Sequence, residues 1–369
     1  MHKPDLYRRF GPYILLKSLG CGGMAEVYLA VHLCGLHARR LVALKSILPP
    51  YNGVEAYVRL FYHEASVGLR LRHAHVQEIF DCGVIEGRHS MVMEYMQGGT
   101  VSQIFSAGIP IPCEIAAWIA LCALEGLSYL HKLCDETGNP LHIVHRDVSP
   151  DNIFVDVEGN GRIFDYGVAL CGSEVEDIQK GMIVGKYAYM SPEQCHGEAI
   201  DERSDVFSLA VVLYEMCTGR TLFAGESDVQ TINAVLEKNI DPPNKLSWEF
   251  PSFLSQSIMR GLERDPGRRY ATADEFAWDL RSFLKMRGVL APQQRCREWI
   301  AEVFAGSIAE EREFLHGALS AVDVQAPTLE DLLRAGNNAG LVAPSPQTPD
   351  VVVSKVSQIV SLQTKHTTE

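Results

Sequence analysis

No two cysteines of this 369-residue chain form a Cys-x-x-Cys pair, although ten are scattered between Cys21 and Cys296. The spacing that holds structural zinc or builds a thioredoxin-like redox site is therefore missing. No apolar stretch follows the opening Met1-His2-Lys3-Pro4-Asp5, so no secretory leader is expected there. The longest apolar run, Ile115 to Leu124, has ten residues, about half of what a membrane-spanning helix needs. Basic charge is in deficit as well: 33 Lys and Arg stand against 46 Asp and Glu, a net of −13. That argues against nucleic-acid binding through a general basic surface. Together these absences point to a cytoplasmic protein with free thiols and no integral membrane segment.

What is present suffices for a large core, with 47% hydrophobic and 21% charged residues. Residues 285–369 hold only 8 basic and 10 acidic side chains. Nearly all of the acidic excess therefore lies in the first 284 residues, where it would favour basic protein substrates. From Tyr13 to Leu284 periodic segments alternate with turn signals. The first part reads as short strands, among them Tyr13 to Leu16, Val27 to Val31, Leu41 to Leu44 and Ser90 to Met93, interrupted by one helix from Val54 to Leu71. Beyond Gly98-Gly99, taken as the hinge region, the pattern becomes helical: Ile115 to His131, Val206 to Cys217, Val229 to Glu237, Phe253 to Leu262 and Ala273 to Leu284. A strand-rich half before a helix-rich half predicts an α+β, two-lobed protein. One further helix is expected from Pro292 to Ser320, with Cys296, Ile300, Phe304 and Ile308 at four-residue intervals. It either packs back on the body or serves docking or dimerisation. From Val322 the chain is rich in Pro, Ser and Thr and reads as a disordered tail.

Four short motifs carry chemistry. Leu19-Gly20-Cys21-Gly22-Gly23-Met24-Ala25-Glu26-Val27 lies between two strands, and its glycines let backbone amides approach phosphate oxygens. Val42-Ala43-Leu44-Lys45 ends an apolar strand in an ammonium that needs a partner, either phosphate oxygens or the carboxylate of Glu64. Val144-His145-Arg146-Asp147-Val148-Ser149-Pro150-Asp151-Asn152 and Ile163-Phe164-Asp165-Tyr166-Gly167 add a carboxylate for a base, an amide and a second carboxylate. The last two are hard oxygen ligands suited to magnesium.

The order and spacing of these motifs resemble the protein-kinase signature set. Ser191-Pro192-Glu193 resembles the element that closes the activation segment. Asp205 resembles the aspartate of the central lower-lobe helix, and Arg269 the arginine that pairs with Glu193. The flavour is that of the bacterial eukaryote-like Ser/Thr kinases, myxobacterial members in particular. The resemblance implies a bilobal kinase fold over 13–284, with an N-lobe at 13–96 and a C-lobe at 97–284. It leaves 1–12 as an N-terminal segment, 285–321 as a helical extension and 322–369 as the tail. It implies ATP with magnesium and a protein substrate. Gly20, Cys21, Gly22 and Gly23 would cover the triphosphate. Lys45, held by Glu64, would neutralise its charge, and Asn152 and Asp165 would hold magnesium. Asp147 would accept the substrate proton. Adenine would lie between Leu19, Val27 and Ala43 above and Phe154 below, with Met93 behind and the backbone of Glu94 to Met96 reading its edge.

The chain departs from the family pattern at several positions. Ala25 replaces the third loop glycine, Tyr166 the usual Phe, and Ser149 the lysine that touches the transferring phosphate in Ser/Thr kinases. Lys186 could supply the missing ammonium. The segment from Asp165 to Glu193 has no threonine, so phosphate acceptors are limited to Ser173, Tyr187 and Tyr189, and the acids Glu174, Glu176 and Asp177 could substitute. A scaffold that binds nucleotide with weak or no turnover is the alternative to an active enzyme. Tyrosine specificity also stays open.

Overall fold

The structure is a computed structural model that describes residues 7–33, 39–165 and 187–325. Strands β1 (Arg8–Phe10), β2 (Tyr13–Cys21), β3 (Ala25–His32), β4 (Leu41–Ile47), β5 (Ile79–Ile85) and β6 (Arg88–Glu94) form one antiparallel sheet, in the order β1-β2-β3-β4-β6-β5. Helix α1 (Glu55–Gly68) packs on it. Both faces of the sheet are covered, and the two-residue period of a strand sorts the side chains between them. On β4, Val42 and Leu44 enter the outer cluster with Phe10, Tyr13 and Val92. Ala43 and Ile47 enter the main core with Met91 and Met93. The same alternation turns Lys45 toward the main core, beside Ala43.

Strand β1 lies in the segment that the sequence reading left outside the domain. Arg9 pairs with Ile14, and Phe10 is sealed inside the outer cluster. Three residues are too few to show a period.

Residues 95–97 join the sheet to β7 (Gly98–Thr100), which pairs with β8 (Ile153–Asp156), itself paired with β9 (Gly161–Ile163). Gly98-Gly99 is thus a strand of the second lobe rather than a hinge. These glycines serve close approach. Gly98 has φ +143°, and a Cβ there would lie 2.1 Å from the Val155 carbonyl oxygen.

The second lobe is helical: α2 (Val101–Ser106), α3 (Cys113–His131), α4 (Pro192–His196), α5 (Glu202–Thr218), α6 (Asp228–Glu237), α7 (Pro243–Leu246), α8 (Ser252–Gly261) and α9 (Ala273–Met286). Helix α3 is apolar around most of its circumference. By length and composition it could cross a membrane, yet 72% of its most apolar stretch is buried inside the protein. That is the pattern of a core helix.

Two helices follow where one was expected, α10 (Pro292–Val303) and α11 (Ala305–Gln325). The chain bends at Phe304, which has φ −109° and ψ 21°. Regular four-residue spacing cannot reveal such a bend, because the apolar stripe continues through it. Helix α11 also extends to Gln325, past the start assigned to the tail at Val322. Pro327 is the first breaker, and helices end at or before the residue preceding a proline. The rest of that tail lies outside the described residues. By contacts, the described residues through Ser320 form one compact unit.

Candidate active site

The glycine loop is the turn between β2 and β3, closed by a hydrogen bond from the Gly22 N–H to the Ala25 carbonyl at 2.8 Å. A Cβ built on Gly20 would meet no protein atom within 4 Å, and one on Gly22 only that carbonyl, at 3.6 Å. The space beside the loop is thus open to a ligand rather than filled by side chains. Ala25, the third-glycine substitute, is buried at the start of β3 opposite Ile47, away from the loop tip.

Lys45 donates to both carboxylate oxygens of Glu64, at 2.8 and 3.0 Å, and to Asp165 Oδ1 at 2.5 Å. Burial alone would lower its pKa, but Asp165 and Glu64 outweigh that and raise it. The ammonium therefore stays charged. Burial also pushes the Glu64 carboxyl up, to about 7, against the pull of Lys45. Asp165 is more open, with its side chain 47% exposed, so it faces the space where a ligand would lie. It holds φ +57°, a left-handed conformation uncommon for a non-glycine residue.

Asn152 donates its amide to the Asp147 carbonyl and to Asp147 Oδ2, both at 2.8 Å. Its own Oδ1 is left as an acceptor. Asn152 Oδ1 and the Asp165 carboxylate are two hard oxygen donors. They fit magnesium, which keeps several waters and takes the rest of its shell from substrate phosphates. No group of three or more His, Cys, Asp or Glu poised for a metal occurs among the described residues.

The loop carrying Asp147 is fixed from below by Asp205, on α5. Its carboxylate accepts from the backbone N–H groups of His145 and Arg146, each at 2.8 Å, and from His131 Nε2 at 2.7 Å. Burial works against this charge, yet these donors lower its pKa on balance. Glu193 and Arg269 form a bidentate pair, both bonds at 2.7 Å, and Ser204 donates to Glu193 at 2.6 Å. Ser191 caps α4 through a capping box with Gln194.

The residues expected around adenine lie mostly on neighbouring strands. Val27 on β3 pairs with Lys45 on β4, and Ala43, two residues before Lys45, pairs with Met93 on β6; Ala43 and Met93 are buried and Leu19 is exposed. Phe154, on β8, lies beside Phe164 at a ring-centroid distance of 6.4 Å. At the edge, the Glu94 N–H is already bonded to the Glu78 carbonyl, and its carbonyl accepts from Gln77 Nε2 at 2.9 Å. Met96, whose backbone bonds to no other described residue, is the freer contact. Nothing in the sequence pointed to Gln77.

Two substitutes read differently in place. Ser149 is 1% exposed and its Oγ has no hydrogen-bond partner among the described residues, so it does not stand in for a phosphate-touching lysine. Tyr189 is not a free phosphate acceptor: it donates to Glu215 at 2.8 Å, and burial beside that carboxylate raises its pKa. Lys186, Tyr166, Ser173, Glu174, Glu176 and Asp177 lie outside the described residues.

Comparison with known proteins agrees with this geometry. The protein kinase domain family matches residues 13–279. The tyrosine-protein kinase MasK of Myxococcus xanthus is 35% identical over 283 residues, covering 76% of this chain and 44% of its own. The serine/threonine-protein kinase PrkC of Bacillus subtilis is 31% identical over 274 residues, covering 74% of this chain and 40% of its own. The chain thus spans less than half the length of these relatives. The solved kinase domain of Mycobacterium tuberculosis PknI aligns with a TM-score of 0.56 at 24% identity, over 76% of this chain and 99% of that one. The matched span contains the glycine loop, Lys45, Asp147 and Asp165, and the chain belongs to the protein kinase domain family.

Proposed function

We propose that the chain transfers the γ-phosphoryl group of ATP, with magnesium, to serine or threonine hydroxyls of protein substrates in cytoplasmic signalling. One observation carries the reading: the Lys45 ammonium is kept charged between Glu64 and the half-open Asp165, on the strand position that pairs with Val27 at the end of the glycine loop. Lys45 would hold the α- and β-phosphates, and Glu64 would hold Lys45. Asn152 and Asp165 would hold magnesium, which when bound draws off charge developing on the phosphates. Asp147, kept in place by Asn152, would orient the substrate hydroxyl and take its proton as the new oxygen–phosphorus bond forms and the β,γ bridge breaks, releasing ADP. The chemistry needs mainly positioning and charge, which these groups supply. Leu19, Gly20, Cys21, Gly22, Gly23, Val27, Ala43, Met93, Glu94, Met96 and Phe154 would form the nucleotide pocket. The acidic body supports basic protein substrates. Free thiols at all eight described cysteines support a reducing compartment.

Tyrosine as the acceptor is a second reading, favoured by the name of MasK and by the buried Ser149. The test is labelled ATP, magnesium and a generic basic protein, with wild type beside Asp147→Asn. Label transferred by the wild type alone, and found on phosphoserine or phosphothreonine, is expected. Equal label in both would remove the enzyme reading, and phosphotyrosine would replace the acceptor.

A further inference from the structure

We propose that Glu311, on α11, is a positioning residue for nucleotide binding, because it ties the strand leading into the glycine loop to the connection between the lobes. The anchor for this tie is α10. Cys296 and Ile300 are fully buried in the main core. Arg297 pairs with Glu158 at 3.1 Å. The backbone of α10 lies so close to Gly159 that a Cβ there would sit 2.4 Å from the Gln293 carbonyl oxygen. At the bend, the Phe304 ring lies over Gly99, 2.6 Å from where a Cβ would stand. Beyond the bend, α11 reaches the connection and the first lobe through its contacts with Tyr95 and Lys17, and its Leu315 and Ala318 are buried.

From this base Glu311 makes two contacts of different origin. Lys17 Nζ, on β2, reaches Glu311 Oε1 at 2.6 Å and lies 5.1 Å from the centre of the Phe314 ring. The Tyr95 hydroxyl, in the 95–97 connection, donates to the same oxygen. Burial and Glu311 together raise the Tyr95 pKa, so the donor keeps its proton. Lys17 stands two residues before Leu19 and three before Gly20. Tyr95 stands between Glu94 and Met96. One carboxylate oxygen therefore restrains both the strand that carries the phosphate loop and the segment proposed to read adenine. Its sequence neighbours Glu310 and Glu313 are exposed, and only Glu311 is turned inward. The pair is partly shielded from water, with side chains 31% and 21% exposed. It should therefore count for more than an open surface pair.

This inference rests on the nucleotide reading of the cleft, and the test is chosen to separate the two. The affinity of the full chain for ATP with magnesium is measured by titration, alongside Tm, so the tie is judged even if the wild type transfers no phosphate. Glu311→Ala is expected to weaken ATP affinity about three- to tenfold, the scale of a charged hydrogen bond in partial contact with water. Where turnover is measured, KM for ATP should rise with kcat within about twofold. Tyr95→Phe should have a smaller effect in the same direction. Lys17→Glu should match Glu311→Ala, and the double variant Lys17→Glu/Glu311→Lys should recover most of the affinity. Glu310→Gln is the control and should bind as wild type does. Unchanged affinity in Glu311→Ala would overturn the proposal. So would an affinity loss that the charge swap fails to recover while Tm stays at the wild-type value.

Discussion

The cleft and the platform beneath it are both built from ion pairs, but of opposite kinds. Beneath Asp147, Asp205 is enclosed by His131 and two backbone amides, and Glu193 is locked to Arg269, all at or below 6% exposure except His131 at 8%. In the cleft, Lys45 is equally buried and shared between Glu64 and Asp165, but Asp165 is half open. The platform has every charge committed and nowhere to move. The cleft has one cation with two carboxylate partners, one of which can turn to a ligand. Buried pairs enclosed on all sides fix a geometry, whereas a shared, partly open charge is free to be redistributed toward a ligand.

Three experiments would break or sharpen this contrast. The largest effect is expected from Arg269→Ala, which leaves Glu193 buried without its cation. Breaking a buried pair in this way costs about 3–5 kcal/mol, read as a lower urea midpoint. A loss no larger than that of a surface substitution would refute the fixed-platform reading. Next comes Lys45→Met, an apolar replacement of similar length. Transfer should fall by roughly 10²–10³-fold, the scale of losing one preorganised charge contact. Tm should stay near the wild-type value, because Glu64 is already pushed toward its neutral form. A collapse of Tm would make Lys45 part of the platform instead.

The smallest effect is a slope. The Asp205 and Glu193 pKa values are lowered in the folded state. Their contribution is therefore present above the unfolded carboxylate range near pH 4, and fades as pH falls through the folded values. Asp205→Asn should flatten the loss of stability below about pH 4. An unchanged acid profile would contradict it.

Much of the cleft was legible because its chemistry restricts residue type. Lys45, Asp147, Asn152 and Asp165 stand in short motifs whose order carries the information. Other features left no such mark. Strand β1 is too short to show alternation. Gly98-Gly99 read as flexible because a glycine needed for close packing has the same letter as one needed for motion. The Phe304 bend is invisible in a stripe that continues through it. Glu311 sits among Glu310, Arg312 and Glu313, and only the fold shows which of these carboxylates turns inward. Tyr189 looked available until Glu215, distant in sequence, proved to be its partner.

The close seating of α10 and of Phe304 on Gly159 and Gly99 also bears on how such a module is exchanged between proteins. The family match ends at 279, yet two glycines upstream of that limit are shaped by residues beyond it. A chimera joined at the family limit would bare the faces that receive Ile300 and Phe304, and would invite them to recruit whatever apolar segment came next. The part of the chain with a closed core surface therefore includes its two following helices. A fusion that keeps residues 8–325 carries both helices whole, while one cut at the family limit leaves the seats of Ile300 and Phe304 bare.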